Sequence, residues 1–109
     1  MQKIQNFIGG TFHDAVNGRF LENVNPSEGK VYSLVPDSDT QDVAMAVDAA
    51  TKAFDSWAAT PVQERSLILQ RIADEIDRNA EQLALAESVD NGKPVSLARR
   101  MDIPRASAN

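Results

Sequence analysis

Ala86-Glu87-Ser88-Val89-Asp90-Asn91-Gly92-Lys93-Pro94, running on to Met101-Asp102-Ile103-Pro104-Arg105, decides how the back half of this chain is built. The first part reads as the end of a helix, and Gly92 suits the left-handed backbone on which helices commonly stop. Lys93-Pro94 restarts the chain, because the residue before a proline is pushed out of the helical region while proline itself fits a first helical turn. Asp102, with Pro104 two residues on, reads as the cap and first turn of a further helix. The stretch holds no nucleophile paired with a base, no phosphate loop and no metal cluster. As physical chemistry it is a helical corner.

Upstream of the corner the apolar spacing is helical. Val43, Val47, Ala50, Phe54 and Trp57 recur at steps of four, three, four and three, one continuous stripe on a 3.6-residue period. Asp39 is the expected N-cap, and Asp42 falls at N3, where the helix dipole favours a carboxylate. Burying Val43, Val47 and Phe54 in full is worth about 1.5–3 kcal/mol each, so this helix is expected to lie on something large. A buried Trp57 would make Trp57→Ala cost roughly 3–5 kcal/mol. Without its partner surface, the stripe through Phe54 and Trp57 is expected to leave the isolated segment aggregation-prone or partly unfolded.

Thr60-Pro61-Val62-Gln63 has the form of a capping box with proline at N1. The helix it opens carries Leu69, Ile72, Ala73 and Ile76 inward and Arg65, Arg71, Asp74, Asp77 and Arg78 outward. Arg78-Asn79 marks a break, and a third helix runs from about Ala80 through Leu83, Ala84 and Leu85 to Val89. Val95 to Arg100 is expected to be a short helix.

Residues 1–37 read as short strands in β-hairpins, and 39–109 as the helical part. Gly9-Gly10 between Phe7-Ile8 and Thr11-Phe12 is a two-residue hairpin turn, since both central positions of a primed turn need positive φ. Asn17-Gly18 repeats the signal. Asn25-Pro26-Ser27-Glu28-Gly29 is a third turn, followed by the strand Val31-Tyr32-Ser33-Leu34-Val35, which Pro36 closes.

With 109 residues, 42% hydrophobic and 25% charged, the chain has the composition of one globular unit. A net charge of −5 argues against nucleic acid, whose binders gather cations to neutralise phosphates. Only Arg99-Arg100, with Arg105 nearby, clusters positive charge. No apolar run is long enough for a membrane span, and Met1 to Asn6 lacks the apolar core of a signal peptide. The absence of cysteine removes disulfides, thiolate metal sites and any cysteine nucleophile, and makes a reducing, cytoplasmic setting the expectation.

The motifs, in this order, resemble the N-terminal part of the NAD(P)-dependent aldehyde dehydrogenase superfamily. Phe7-Ile8-Gly9-Gly10 is similar to its F-I-[ND]-G hairpin, with Gly10 a departure of equivalent turn chemistry. Val24-Asn25-Pro26-Ser27-Glu28-Gly29-Lys30-Val31 resembles its N-P turn and strand. Asp42-Val43 through Trp57 resembles its first helix, and Glu64-Arg65 with Ile72-Ala73-Asp74 its second. Glu87, Asp90, Gly92, Lys93 and Pro94 match E-[ST]-x-D-x-G-K-P. Ser96 to Arg105 looks most like the branch that oxidises hydroxymuconic or aminomuconic semialdehyde.

The resemblance implies an α/β parent with a Rossmann-like dinucleotide-binding domain, of which 1–109 is the N-terminal segment. The catalytic and oligomerisation domains would lie outside this chain. It implies oxidation of a small-molecule aldehyde to a carboxylic acid, with NAD or NADP as hydride acceptor, by a full-length homo-oligomer, dimer or tetramer. The family's attacking cysteine, its water-activating glutamate, its oxyanion asparagine and its dinucleotide-binding residues have no counterpart here, so the segment alone is expected to be inert. One site carries over: a structural K+ or Na+ held by main-chain oxygens of Asn23 and Val24 and by Asp90, against a plain reading in which Asp90 only caps or pairs near Lys93.

Other residues weigh less. His13, the only histidine, has no second ligand at metal spacing. Glu22, Glu28 and Glu64 form no recognisable carboxylate pair, and Glu87 reads as structural. Gly92-Lys93-Pro94 lacks the upstream glycine and the hydroxyl residue of a phosphate loop. Ser88 and Ser96 have no histidine near them in sequence. The alternative is a free-standing α+β interaction module that uses the stripe as its binding face. A reading frame running past Asn109 to a cysteine in a glycine-rich apolar context would favour the enzyme, and a natural stop there the module.

Overall fold

The computed structural model describes all residues, 1–109. It groups the chain into two compact units, Met1–Val24 with Val31–Ala59, and Asn25–Lys30 with Thr60–Asn109.

The first unit holds the strands β1 (Gln2–Lys3), β2 (Asn6–Ile8), β3 (Thr11–His13), β4 (Phe20–Asn25) and β5 (Lys30–Pro36) and the helix α1 (Thr40–Ala59), save for the turn-side ends of β4 and β5 at Asn25 and Lys30. β2 and β3 form the expected antiparallel hairpin, with Phe7 opposite Phe12 and Gly9 and Gly10 at φ 59° and 85°. The two rings meet at 5.0 Å. β4 and β5 are neighbours in a second sheet of order β1-β5-β4. A four-residue turn joins them, which only an antiparallel pair can take.

Two features of this unit depart from the sequence reading. β1 pairs in parallel with β5, Gln2 opposite Ser33 and Lys3 opposite Leu34, a long-range pairing that two residues cannot announce locally. Asn17-Gly18 turns the chain without making a hairpin, because β3 and β4 belong to different sheets. Gly18 N–H donates to Ala15 O at 2.8 Å, while Asn17 donates from Nδ2 to Asp37 O at 2.9 Å and to Asp39 Oδ2 at 3.2 Å.

Helix α1 begins as expected. Asp39 Oδ1 accepts the Gln41 N–H at 2.9 Å, and Asp42 reaches back to accept the Asp39 N–H, also at 2.9 Å. The pair satisfies two of the amide groups a helix start leaves open. The other oxygen of Asp42 accepts the Val16 N–H at 2.9 Å, tying the loop before β4 to the helix start. Asp42 is buried, and the Asp39 and Val16 amides hold its carboxyl below the usual carboxylate range. The stripe behind this cap is bare: Val43, Val47, Phe54 and Trp57 are all exposed. Trp57 keeps 40% of its surface open, so the 3–5 kcal/mol of a buried ring does not apply to it.

The second unit contains α2 (Val62–Arg78), α3 (Ala80–Asn91), α4 (Val95–Leu97), a π-helical turn (Ala98–Asp102) and α5 (Ile103–Ala108). Pro61 is extended at the N-cap of α2 rather than in its first turn, and its carbonyl accepts the Glu64 and Arg65 amides at 3.0 and 3.1 Å. α5 packs on α2 and α3. The core here is small: Ala84, Ala98 and Ile103 are buried, with Ile76 and Ala80 against them. Small residues let helices approach closely, and so Ala84 is inside while Leu83 and Leu85 are exposed. Leu69 and Ile72 are likewise exposed, and Arg65, expected outward, is half-buried with its Nε out of reach of solvent and of any acceptor.

Asp102 is not a cap. It has helical φ and ψ of −70° and −47°, and the chain runs on from α4 to α5 through the π turn, in which Ile103 N–H donates to Ala98 O.

Asp39→Ala should cost about 1 kcal/mol, the usual loss for an N-cap, in urea unfolding followed by circular dichroism. Asp42 gives the pH dependence. Its folded pKa lies below the unfolded value, so its contribution is complete above roughly pH 4 and disappears as pH falls through the folded value. Asp42→Ala should therefore destabilise more at pH 7 than at pH 3; an equal loss at both would show that the charge of the carboxylate is not what matters.

Candidate functional site

The residues with a ligand role read from sequence are Asn23, Val24 and Asp90. Asn23 and Val24 lie on β4 in the first unit, and Asp90 lies in the last turn of α3 in the second. Asn23 is half-buried, and its Nδ2 donates to Tyr32 Oη at 3.0 Å and to Ser33 Oγ at 3.2 Å. Its side chain thus serves the sheet, and the role expected of it falls to its main-chain oxygen. Asp90 is exposed, at the helix end where carbonyl dipoles make the potential negative.

Around Asp90 the corner is built residue by residue. Gly92 takes φ 78° and its N–H closes on Ser88 O at 2.9 Å. Ser88 Oγ donates to Lys93 O at 2.5 Å, so this hydroxyl is committed to the backbone. Asn91 accepts the Lys93 N–H on Oδ1 at 2.8 Å and donates from Nδ2 to Glu87 Oε1 at 2.7 Å, which gives Glu87 the structural place expected of it. The Pro94 carbonyl then accepts the Leu97 and Ala98 amides at 2.9 and 3.1 Å to start α4. A side chain at Gly92 would meet the turn Asn25–Lys30, for a Cβ built there stands 3.1 Å from Pro26 Cγ.

Two ion pairs fasten the chain beyond the corner, and sequence reasoning missed both. Lys93 Nζ reaches Asp102 Oδ2 at 2.5 Å with both side chains about two-thirds buried. Arg99 grips Glu81 with two bonds, Nε to Oε1 at 2.6 Å and Nη2 to Oε2 at 2.9 Å. That fork lowers the Glu81 pKa and raises that of Arg99. Along one straight helix, separations of 9 and 18 residues would hold these charges about 13 and 27 Å apart. Gly92 breaks the helix between Glu81 and Arg99, and the extended backbone of Pro94, at ψ 134°, breaks it between Lys93 and Asp102.

The chemistry available is that of oxygen ligands and structural ion pairs. No three His, Cys, Asp or Glu side chains gather to hold a metal ion. His13, in the first unit, has Nε2 2.7 Å from Thr11 Oγ1, and its strand position faces Asn6. No helix is long and apolar enough to cross a membrane.

Comparison with known proteins agrees with the resemblance. The aldehyde dehydrogenase family matches residues 12–109. The 2-aminomuconic semialdehyde dehydrogenase of Bos taurus is 47% identical over 106 residues, 97% of this chain and 21% of that protein. Acetaldehyde dehydrogenase 2 of Cupriavidus necator is 46% identical over 105 residues, 96% of this chain and 21% of that one. PnpE from Pseudomonas sp. WBC-3 superposes with a TM-score of 0.94 at 38% identity, covering 99% of this chain and 22% of its own, and PnpE has also been solved in complex with nicotinamide adenine dinucleotide. The chain spans about a fifth of the length of the curated relatives it matches. It belongs to the aldehyde dehydrogenase family.

Gly92→Ala should destabilise the second unit by more than the 1–2 kcal/mol of a left-handed alanine, because the new methyl also presses on Pro26. Pro26→Ala in the same background should recover part of that loss in a double-mutant cycle. Additive effects would show that the two residues do not meet.

Proposed function

We propose, on the premise of that membership, that this chain is the amino-terminal segment of the dinucleotide-binding domain of an aldehyde dehydrogenase that oxidises a muconic semialdehyde to the carboxylic acid. The supporting observation is the 47% identity to the Bos taurus enzyme across nearly the whole chain. The likeness to PnpE, solved with nicotinamide adenine dinucleotide, supports a nicotinamide as hydride acceptor. The family supports a homo-oligomer, and the lack of cysteine supports the cytoplasm.

In this reading the segment touches no reacting atom. The family's nucleophile is a cysteine, and this chain has none. Gly92 is not a phosphate cradle, since Pro26 and Ser27 stand where an approaching ligand would go. The segment's part is to present a rigid corner, whose one ligand role is a structural K+ or Na+ at Asn23, Val24 and Asp90. The donor chemistry suits that ion: two main-chain carbonyls and a carboxylate are hard oxygens.

Three measurements test this. An intact mass of the natural protein several times 11.9 kDa is expected, along with aldehyde-dependent reduction of a nicotinamide cofactor that is faster on muconic semialdehydes than on acetaldehyde. A natural mass of 11.9 kDa, or turnover by the 109-residue chain alone, would overturn the assignment. For the cation, Asp90→Asn in the full enzyme should abolish a stability difference between potassium and a bulky tetraalkylammonium salt; equal stability of the unaltered enzyme in both would remove the site.

A further inference from the structure

We propose that Asn17 is a site of spontaneous deamidation, and that Asn91, followed by the same residue, is slowed by the corner around Gly92. The inference rests on hydrogen bonds within this chain and not on the enzymatic reading. Asn17-Gly18 and Asn91-Gly92 are the two asparagine–glycine pairs of the sequence. In such a pair the glycine nitrogen, uncrowded by any Cβ on its own residue, attacks the asparagine Cγ. The new N–Cγ bond closes a five-membered succinimide, the Cγ–Nδ2 bond breaks, and the glycine proton leaves with Nδ2 as ammonia. Water then adds to one of the two ring carbonyls and gives aspartate or isoaspartate.

The two pairs start from the same local arrangement. Each asparagine accepts on Oδ1 the amide two residues on, Arg19 N–H and Lys93 N–H, both at 2.8 Å. That bond draws electrons from Cγ and meets the negative charge that grows on Oδ1 during attack. The glycines match too, at φ 70° and 78°. Local chemistry alone therefore sets the two rates equal.

What differs is how firmly the attacking nitrogen is held. Attack requires the asparagine–glycine peptide to rotate about the asparagine Cα–C bond, which takes the glycine N–H from its acceptor. Gly18 N–H closes one turn on Ala15 O at 2.8 Å, and Asn17 lies in that turn, outside any helix or strand. Gly92 N–H is bonded to Ser88 O at 2.9 Å, and Asn91 is the last residue of α3. Rotation there would also pull Lys93 O from Ser88 Oγ and shift Gly92 beside Pro26, whose Cγ is 3.1 Å from where a Cβ would stand. One hydrogen bond more to break slows the step roughly fivefold.

The product at position 17 acts on the start of α1. Asn17 Nδ2 donates to Asp37 O at 2.9 Å and to Asp39 Oδ2 at 3.2 Å. A carboxylate has no hydrogen to donate, and it would stand as a second anion beside Asp39, the N-cap of α1. Deamidation thus loosens the helix start as the protein ages.

The test is ageing of the natural protein at mildly alkaline pH, folded and in urea, with both asparagines followed by peptide mass mapping. The expected result is a one-unit mass gain and isoaspartate at Asn17, at a rate roughly fivefold or more above that at Asn91. In urea both sets of bonds are lost, and the two rates should converge. Equal rates in the folded protein, a faster Asn91, no gain at Asn17 while the urea sample converts, or a ratio that survives unfolding would each overturn the proposal.

Discussion

The backbone conformation at Gly92 is the constraint on which the second unit depends. At φ 78° the chain leaves α3 in a direction no helix would allow, and Pro26 stands close enough that a side chain there would press on it. The packing downstream results from that departure. Arg99 comes within reach of Glu81, and Ala98 and Ile103 close over Ala84. The ion pairs are exposed or half-buried and hold geometry more than they add stability.

The first unit has a different anchor. The carboxylate of Asp42 accepts amides from the cap of its own helix and from the loop at Val16. A charged acceptor held by two N–H donors resolves an end that would otherwise leave polar groups unpaired. Beyond that cap, α1 spends little of its apolar surface within the unit, because the hairpin meets the alanines and not the large side chains. A helix can therefore be strongly amphipathic and still bare.

How much the sequence discloses depends on the range of each interaction. The Gly9-Gly10 hairpin, the Asp39 cap and the Gly92 stop rest on neighbours a few residues apart, and all three stand in the structure. The parallel pairing of β1 with β5 spans some thirty positions and leaves no local trace. Apolarity alone puts Leu69, Ile72 and Trp57 inside, whereas the buried apolar cluster of the second unit is two alanines and an isoleucine. Asp102 followed by Pro104 has the letters of a cap, but its partner is Lys93 and its backbone is helical. Of the candidate site, the corner is legible in the sequence and its fastening is not. The substrate is harder to read, because relatives named for a muconic semialdehyde and for acetaldehyde match this segment at 47% and 46%.

The π-helical turn at Ala98–Asp102 sets a phase. Residues five apart on an α-helix point about 140° away from each other, so a regular helix could not send both Ala98 and Ile103 to Ala84. Widening one turn to an i→i+5 bond brings them to the same side. The irregularity therefore works as a one-residue spacer between two stretches of helix. Any insertion or deletion between Leu97 and Ile103 would rotate the whole of α5 about its axis, and with it the face that α5 offers to α2. In this part of the chain length is held as tightly as identity.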